Sequence, residues 1–392
     1  MEQVVMDQYG YYQIGDYKTY SGYEIMDRYY ENPQPYVWKY NDEFFSQYDW
    51  TQEPTESLDE LYGARAKELR EKYDYIVLYY SGGYDSVNML RAFVDNGIYP
   101  DEICYFYSRH DTESHQYHER INFTEKKLKA IEQQYPNIKI RKLDYADIVC
   151  NWPNTIADQN LNTDPIYLQG PRLNVSRLAL DVMYEYIDDW KQLLKDKKTL
   201  CTLHGVDIVR LRYNFKTKQL IHNFTDLDVL GHLTPVRQMT NKKDRDTLEF
   251  FYWAPTELCA KMMIKQGHLA KRFFIELTKG YWSRLPTISG IGYVNMPARE
   301  FAFQLHTYEP FRRLVYPKIF DSDEKFYNEK ISVAFWGNRD QWFFNSDLPG
   351  SKEHWSMYLS LFNDDKRHWQ DFFIKNDMSN GPKKINSKDY II

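Results

Sequence analysis

Tyr73-Asp74-Tyr75-Ile76-Val77-Leu78-Tyr79-Tyr80-Ser81-Gly82-Gly83-Tyr84-Asp85-Ser86 decides how the rest of the chain is read. Its first eight residues are a β-favouring, largely apolar run of strand length, the pattern of a strand buried on both faces. Ser81-Gly82-Gly83 ends that run. Beyond it, Val87, Leu90, Phe93 and Val94 recur at helical spacing, Gly97 stands where a helix would stop, and Pro100 follows. Upstream, Leu61–Lys72 is rich in Ala, Leu, Glu, Lys and Arg and predicts a helix. The glycine turn therefore joins a buried strand to an amphipathic helix.

The alternation continues outward. A second strand is expected over Glu102–Ser108, and a long helix over Thr112–Gln134, stopped by Pro136. A third strand is expected over Ile138–Asp144, a helix over Asn174–Lys195 with Val175, Leu178, Val182 and Ile187 on its buried face, and a further strand over Thr199–Val206. Strands alternating with helices predict an α/β domain with a parallel sheet. Ligands of such sheets bind beyond the carboxyl ends of the strands, where Ser81–Ser86 lies.

Two adjacent glycines let the backbone take positive φ and approach a ligand closely. Successive amides there can form an anion-binding concavity, and the following helix would add its N-terminal dipole and unbonded N–H groups. Ser81 and Ser86 offer hydroxyl donors. Asp85 would repel a bare phosphate, unless it holds Mg²⁺, which bridges carboxylate and phosphate. The alternative is a plain strand–helix turn with Asp85 at the helix start. There is no GxxxxGK[ST] for a Walker-type loop, and no GxGxxG at the first strand for a dinucleotide site.

Composition limits the function classes. The 392 residues are 43% apolar and 27% charged, a globular composition long enough for more than one domain. Net charge is −6, which disfavours a protein whose work is coating nucleic acid. No apolar run is long enough to span a membrane, and Met1–Gly10 lacks the pattern of a secretory signal. The four cysteines, Cys104, Cys150, Cys201 and Cys259, are scattered without a CxxC pair, which fits a reducing, cytoplasmic setting. The first 60 residues hold 11 of the 35 tyrosines, with 13 acidic residues against 3 basic, so they carry −10 and the remainder +4. They show no clear helical period. Asn32-Pro33-Gln34-Pro35-Tyr36 reads as extended, and the segment as an acidic arm that packs its tyrosines on the body or covers a partner or substrate.

Ser81-Gly82-Gly83-Tyr84-Asp85-Ser86 resembles the SGGxDS signature of the PP-loop ATP pyrophosphatases, a superfamily that includes asparagine, GMP and NAD synthetases, tRNA-lysidine synthetase, tRNA thiolation enzymes and PAPS reductases. The likeness covers Tyr73–Arg210. It implies a HUP-like (adenine nucleotide alpha hydrolase-like) sheet, with ATP and Mg²⁺ as its small molecules. It also implies cleavage of ATP between the α and β phosphates: a substrate oxygen attacks the α-phosphate, pyrophosphate leaves, and a nucleophile then displaces AMP. By position, the amides of Gly82, Gly83 and Tyr84 and the hydroxyls of Ser81 and Ser86 would hold pyrophosphate. Asp85 would bind metal, making Asp85 and Ser86 the catalytic candidates in the loop.

The same resemblance extends to weaker elements. Leu203-His204-Gly205-Val206-Asp207 is similar to the family's second glycine/acid loop, which would put Gly205 near the nucleotide and make Asp207 a second metal ligand, a helix N-cap being the alternative. Gly170-Pro171-Arg172 and Arg177 lie at an expected helix start where family members carry an arginine-bearing helix, so Arg172 or Arg177 is a candidate to face the phosphates, a surface helix being the alternative. The segment after the second strand contacts adenosine in such folds, which singles out Ser108 and the His110, Asp111, His115, His118 cluster behind it. That cluster reads as a metal pair or as a wet helix face. Set against the family's members, missing cysteine pairs disfavour sulfur transfer, the lack of a cysteine after Cys259 disfavours reduction of the PAPS reductase kind, and the Met1-Glu2 start disfavours a glutaminase. An adenylating ligase remains, acting on a small-molecule substrate with ammonia, an amine or nitrogen from a partner protein. Its rivals are a nucleotide-binding interaction module without turnover and a base-modifying enzyme acting on nucleic acid.

The expected organisation is an arm (1–60), a PP-loop domain (61–215) and a mostly helical C-terminal domain (216–392). In the last, Glu257–Gln266 predicts a helix with Lys261 and Lys265 at i,i+4. Lys265 is the candidate to meet phosphate or a substrate carboxylate, a solvated face being the alternative. The order FYWAPTEL, IKQGHLAKRF, LVYPKIF resembles uncharacterised PP-loop proteins of tailed phages, with asparagine synthetase-like and PAPS reductase-like members as the reference points.

Overall fold

A computed structural model describes residues 10–19, 22–112, 117, 120–147, 150, 187–205, 211–214, 219–224, 248–278, 300–303 and 387–392. From the N-terminal side these form β1 (Tyr11–Ile14), β2 (Tyr17–Thr19), α1 (Gly22–Glu31), β3 (Tyr36–Lys39), α2 (Asp42–Phe45), α3 (Leu58–Lys72), β4 (Tyr75–Tyr79), α4 (Tyr84–Val94) and β5 (Glu102–Tyr107). A π-helical turn (Arg120–Thr124) then runs into α5 (Glu125–Gln134), followed by β6 (Lys139–Asp144), α6 (Asp188–Lys195), β7 (Leu200–His204), β8 (Leu211–Asn214), β9 (Gln219–His222), β10 (Leu248–Phe250), α7 (Glu257–Thr278), β11 (Glu300–Phe303) and β12 (Tyr390–Ile391).

The α/β expectation holds. Five strands make one sheet in the order β10-β7-β4-β5-β6, and every pairing is parallel. Ile76, Val77, Leu78, Ile103, Cys104 and Leu203 are all completely buried, as a sheet covered on both faces requires. Ile76, Leu78 and Ile103 point to the side packed by α3, α4 and α5, whereas Val77, Cys104 and Leu200 meet Trp190 of α6 on the other side. The chain winds outward from β4 through β5 to β6, returns to place β7 on the opposite flank of β4, and continues to β10. The winding direction thus reverses between β4 and β7. This is the topological switch point, beside which open α/β sheets bind their ligands at the carboxyl ends of the strands.

Local chemistry explains the element ends. Helix α3 starts at Leu58, earlier than its composition suggests, because Ser57 and Glu60 form a reciprocal capping box. The expected helix over 112–134 is interrupted by the π-helical turn before α5. The expected helix over 174–195 does not run unbroken: Ile187 is extended (φ −102°, ψ 98°), and α6 begins after it. Residues 151–186 lie outside the described residues.

The parallel sheet also draws on residues beyond 216, since β10 is its edge strand and α7 packs along α3. The described residues of 216–392 supply one long helix and four short strands. Three of those strands join β8 in an antiparallel sheet of order β11-β8-β9-β12.

The N-terminal segment has more structure than its lack of period suggests. β2, β1 and β3 form an antiparallel sheet, and α1 buries Ile25 and Met26. Tyrosine weakens the helical signal here, being scored as polar while packing as an aromatic hydrocarbon. Residues 33–35 belong to neither helix nor strand and lead into β3, in keeping with the two prolines. Trp38, Tyr40, Phe45 and Trp50 are buried. Tyr40 packs on Phe224 (4.4 Å between ring centres), Trp50 stacks on Tyr390 (4.5 Å), and the Tyr40 hydroxyl donates to the Trp253 carbonyl. An aromatic cluster therefore fastens this segment to the body.

Candidate functional site

The Tyr80 amide continues the sheet by donating to the Cys104 carbonyl (3.0 Å), and the chain then turns at Ser81. Gly82 has φ +81°, and a Cβ there would stand 2.6 Å from Thr124 Oγ1, so both its backbone angle and its surroundings demand glycine. Gly83 is different. It is the N-cap of α4 with φ −75° and ψ 172°, which any residue adopts, and a Cβ there would lie 3.3 Å from Ser81 Oγ. The two hydroxyls face each other, with Ser81 Oγ 3.2 Å from Ser86 Oγ. The Gly83 amide donates to Ser81 Oγ (3.2 Å), and Ser86 Oγ donates to the Gly83 carbonyl (3.1 Å). Two hydroxyls and an amide thus share one small volume at the positive end of an 11-residue helix.

The first turn of α4 is held from behind. The Tyr252 hydroxyl donates to the Asp85 carbonyl (3.0 Å) and accepts from Asn88 Nδ2 (2.8 Å). Tyr62 meets Tyr252 edge-on at 5.8 Å and accepts a hydrogen bond from Gln266 Nε2 (3.0 Å). Burial pushes the Tyr252 phenol up, with Tyr62 and Asp85 adding to the effect, so it stays a protonated donor. Tyr252 follows β10, which ties the sheet edge to the loop.

Of the expected second loop, Gly205 reaches the first. A Cβ on Gly205 would stand 3.3 Å from the Asp85 carbonyl carbon and oxygen and 3.5 Å from Asp85 Cβ, so the end of β7 touches the start of α4. The ring of His204 stands edge-on to Tyr79 at 4.3 Å, and Tyr79 meets Phe106 at 4.9 Å. Ser108, at the end of β5, is buried. Its hydroxyl accepts from the His110 amide (3.2 Å), and its carbonyl accepts from the Asp111 amide (3.2 Å) and Arg120 Nη1 (3.0 Å). The Arg120 guanidinium lies 5.1 Å from the ring centres of both Tyr107 and Tyr117.

Ser81, Gly82, Gly83, Tyr84, Asp85, Ser86 and Gly205 therefore converge at the switch point, and Ser108 closes the neighbouring strand end. Lys265 does not join them: its amine bonds the Pro54 carbonyl (2.9 Å) and the Glu53 carboxylate (2.9 Å), and none of its partners belongs to the loop. A helix position four residues from Lys261 specifies a stripe but not what that stripe meets. Arg172, Arg177, Asp207, His115 and His118 lie outside the described residues. Reading the sequence alone misses Thr124, Lys127 and Tyr252. The only trace of them is the aromatic run Phe250–Trp253 and a helix spacing that the π-helical turn shifts.

The donor set suits an anion of phosphate type. Among the described residues, no three His, Cys, Asp or Glu side chains converge to hold a metal by themselves. A magnesium ion at Asp85 would fit, because that ion takes one or two carboxylates and completes its shell with phosphate and water. Compared with protein-family models and with curated proteins, the chain matches none. Among the described residues, no helix is long and apolar enough to cross a membrane.

Proposed function

We propose that the chain is an ATP-dependent, AMP-forming ligase of PP-loop type, built on a HUP-like sheet and acting on a small-molecule acceptor. The observation that carries this reading is the convergence of the Gly82 turn, the α4 N-terminus and Gly205 on the switch point of a parallel sheet. In the proposed step, an acceptor oxygen bonds to the α-phosphorus, the α–β phosphoanhydride bond breaks, and its electron pair leaves with pyrophosphate. Ser81 Oγ, Ser86 Oγ and the loop amides would receive that charge, the Ser86 hydroxyl and the Gly83 amide exchanging their bonds within the loop for bonds to phosphate. Asp85 is the residue that would hold Mg²⁺, which supplies charge neutralisation between the phosphates. A nitrogen nucleophile then displaces AMP. Gly205, packed on Asp85, keeps the carboxylate-bearing turn against the end of β7.

Incubation with ATP, Mg²⁺ and fractionated metabolites, followed by separation of nucleotides, tests the proposal. AMP and pyrophosphate in equal amounts support it, with loss of both in Asp85→Asn. ATP binding with ADP as the product, or with no product in any fraction, overturns it in favour of a phosphatase or a non-catalytic nucleotide-binding module. Salt-sensitive RNA or DNA binding that stimulates AMP release would redirect the acceptor to nucleic acid.

A further inference from the structure

One helical stripe on the far side of the loop bonds a row of carbonyls. Arg120 Nη1 donates to the Ser108 carbonyl, Thr124 Oγ1 to the Ser81 carbonyl (2.9 Å), and Lys127 Nζ to the Gly82 carbonyl (3.2 Å). These residues stand at spacings of four and three, so they follow one face. The π-helical turn over Arg120–Thr124 shifts that face by a residue as it enters α5, a local defect that recurs at functional sites. Thr124 is buried beneath the loop and touches the position of the missing Gly82 side chain.

Resting on the ligase reading of the loop, we infer that Thr124 and Lys127 are positioning residues that aim its amides at the departing pyrophosphate. In a trans peptide the C=O and the next N–H point in opposite directions. Drawing the Ser81 carbonyl toward Thr124 turns the Gly82 N–H the other way, and drawing the Gly82 carbonyl toward Lys127 does the same for the Gly83 N–H. The Gly83 N–H indeed points to Ser81 Oγ, which sits in the concavity beside Ser86 Oγ. Both carbonyl dipoles, which would repel an anion, are thereby held on the opposite side. Lys127 also brings a positive charge to within one peptide of the cradle without occupying it.

Thr124→Val removes the donor at constant shape, Thr124→Ser keeps it, and Lys127→Met keeps the apolar stem. Magnesium pyrophosphate binding is measured by calorimetry on the full chain, with the thermal midpoint as a control for folding. Amide hydrogen exchange of the 81–86 segment is followed in the ligand-free protein. We expect Thr124→Val and Lys127→Met each to weaken pyrophosphate binding by about tenfold, the scale of one lost hydrogen bond. Thr124→Ser should stay within about threefold of the parent, and exchange at Gly82 and Gly83 should rise only in Thr124→Val and Lys127→Met. Parent-like affinity and exchange in Thr124→Val, or equal losses in Thr124→Val and Thr124→Ser, would overturn the inference. A parent chain that binds neither pyrophosphate nor ATP would overturn the ligase reading instead, while the exchange data still report on the clamp.

Discussion

Replacing Gly82 by alanine tests the loop where it is most constrained. At φ +81° the new residue enters the left-handed region, which costs an L-residue roughly 1–2 kcal/mol. Its methyl would also stand 2.6 Å from Thr124 Oγ1, forcing that side chain away from the Ser81 carbonyl and giving up a hydrogen bond worth about 1 kcal/mol. The sum, about 2–3 kcal/mol, corresponds to a rise in the unfolding equilibrium constant on the order of 30- to 140-fold. Gly83→Ala is the internal control. Its backbone is extended and its nearest clash is mild, so folding stability should change by less than about 0.5 kcal/mol, or even gain from a stiffer unfolded chain. Its methyl nevertheless enters the concavity beside Ser81 Oγ and should weaken pyrophosphate binding. Urea unfolding followed by tryptophan fluorescence and far-ultraviolet dichroism reads the first effect, and calorimetry with magnesium pyrophosphate the second. If both variants lose the same stability, or if Gly82→Ala loses none, the reasoning about this turn is refuted.

Tyr252→Phe leaves the partly buried Asp85 carbonyl and the buried Asn88 amide each short of a partner, and should cost about 1–3 kcal/mol and loosen the start of α4. An unchanged urea midpoint would show that the hydroxyl does not support the loop. Arg65 is fully buried and donates to Glu249 (3.1 Å) and the Phe250 carbonyl (3.0 Å). Burial pushes the Glu249 carboxyl up, but Arg65 and Lys72 outweigh it and hold the group below its usual range. Arg65→Met should therefore cost about 3–5 kcal/mol, and the further change Glu249→Gln should recover part of it; no recovery would argue against a stranded charge. Hydrogen bonding to Arg272, opposed by burial and reinforced by Lys265, lowers Glu53 to about 2. Because the folded value lies below the unfolded one, this stabilisation is complete above the unfolded pKa and fades as pH falls from there toward 2. Glu53→Gln should flatten the acid limb of the stability profile by about 0.5–1 kcal/mol, and Lys265→Met should lower the thermal midpoint without reducing pyrophosphate release. A loss of release with an unchanged midpoint would restore Lys265 to the chemistry.

Much of the sheet is legible because parallel strands are continuous apolar runs. Tyr75–Tyr79, Glu102–Tyr107 and Leu200–His204 stand within two residues of their expected positions. β10 is not legible, being three residues long and followed by the irregular aromatic run 251–253 rather than a regular element. Nor is α1, whose buried face relies on a few apolar residues among tyrosines. In the candidate site, Ser81–Ser86 is contiguous and so visible, and Gly205 follows a readable strand. Thr124, Lys127 and Tyr252 bond to the loop from 38 or more residues away, and the aromatic run and helix spacing around them do not say that they reach it.

The chain's order of residues by itself determined the alternation of strand and helix, the glycine turn at the end of β4 and the donors that turn can offer. These depend on periodicity, backbone freedom and side-chain chemistry over a few neighbours. Only the tertiary structure decided that Gly82 and not Gly83 needs to be glycine, that Gly205 touches Asp85, and that Lys265 serves Glu53. Each of these depends on strand order and on which helix face meets which carbonyl, quantities set by packing across distances that local sequence does not encode.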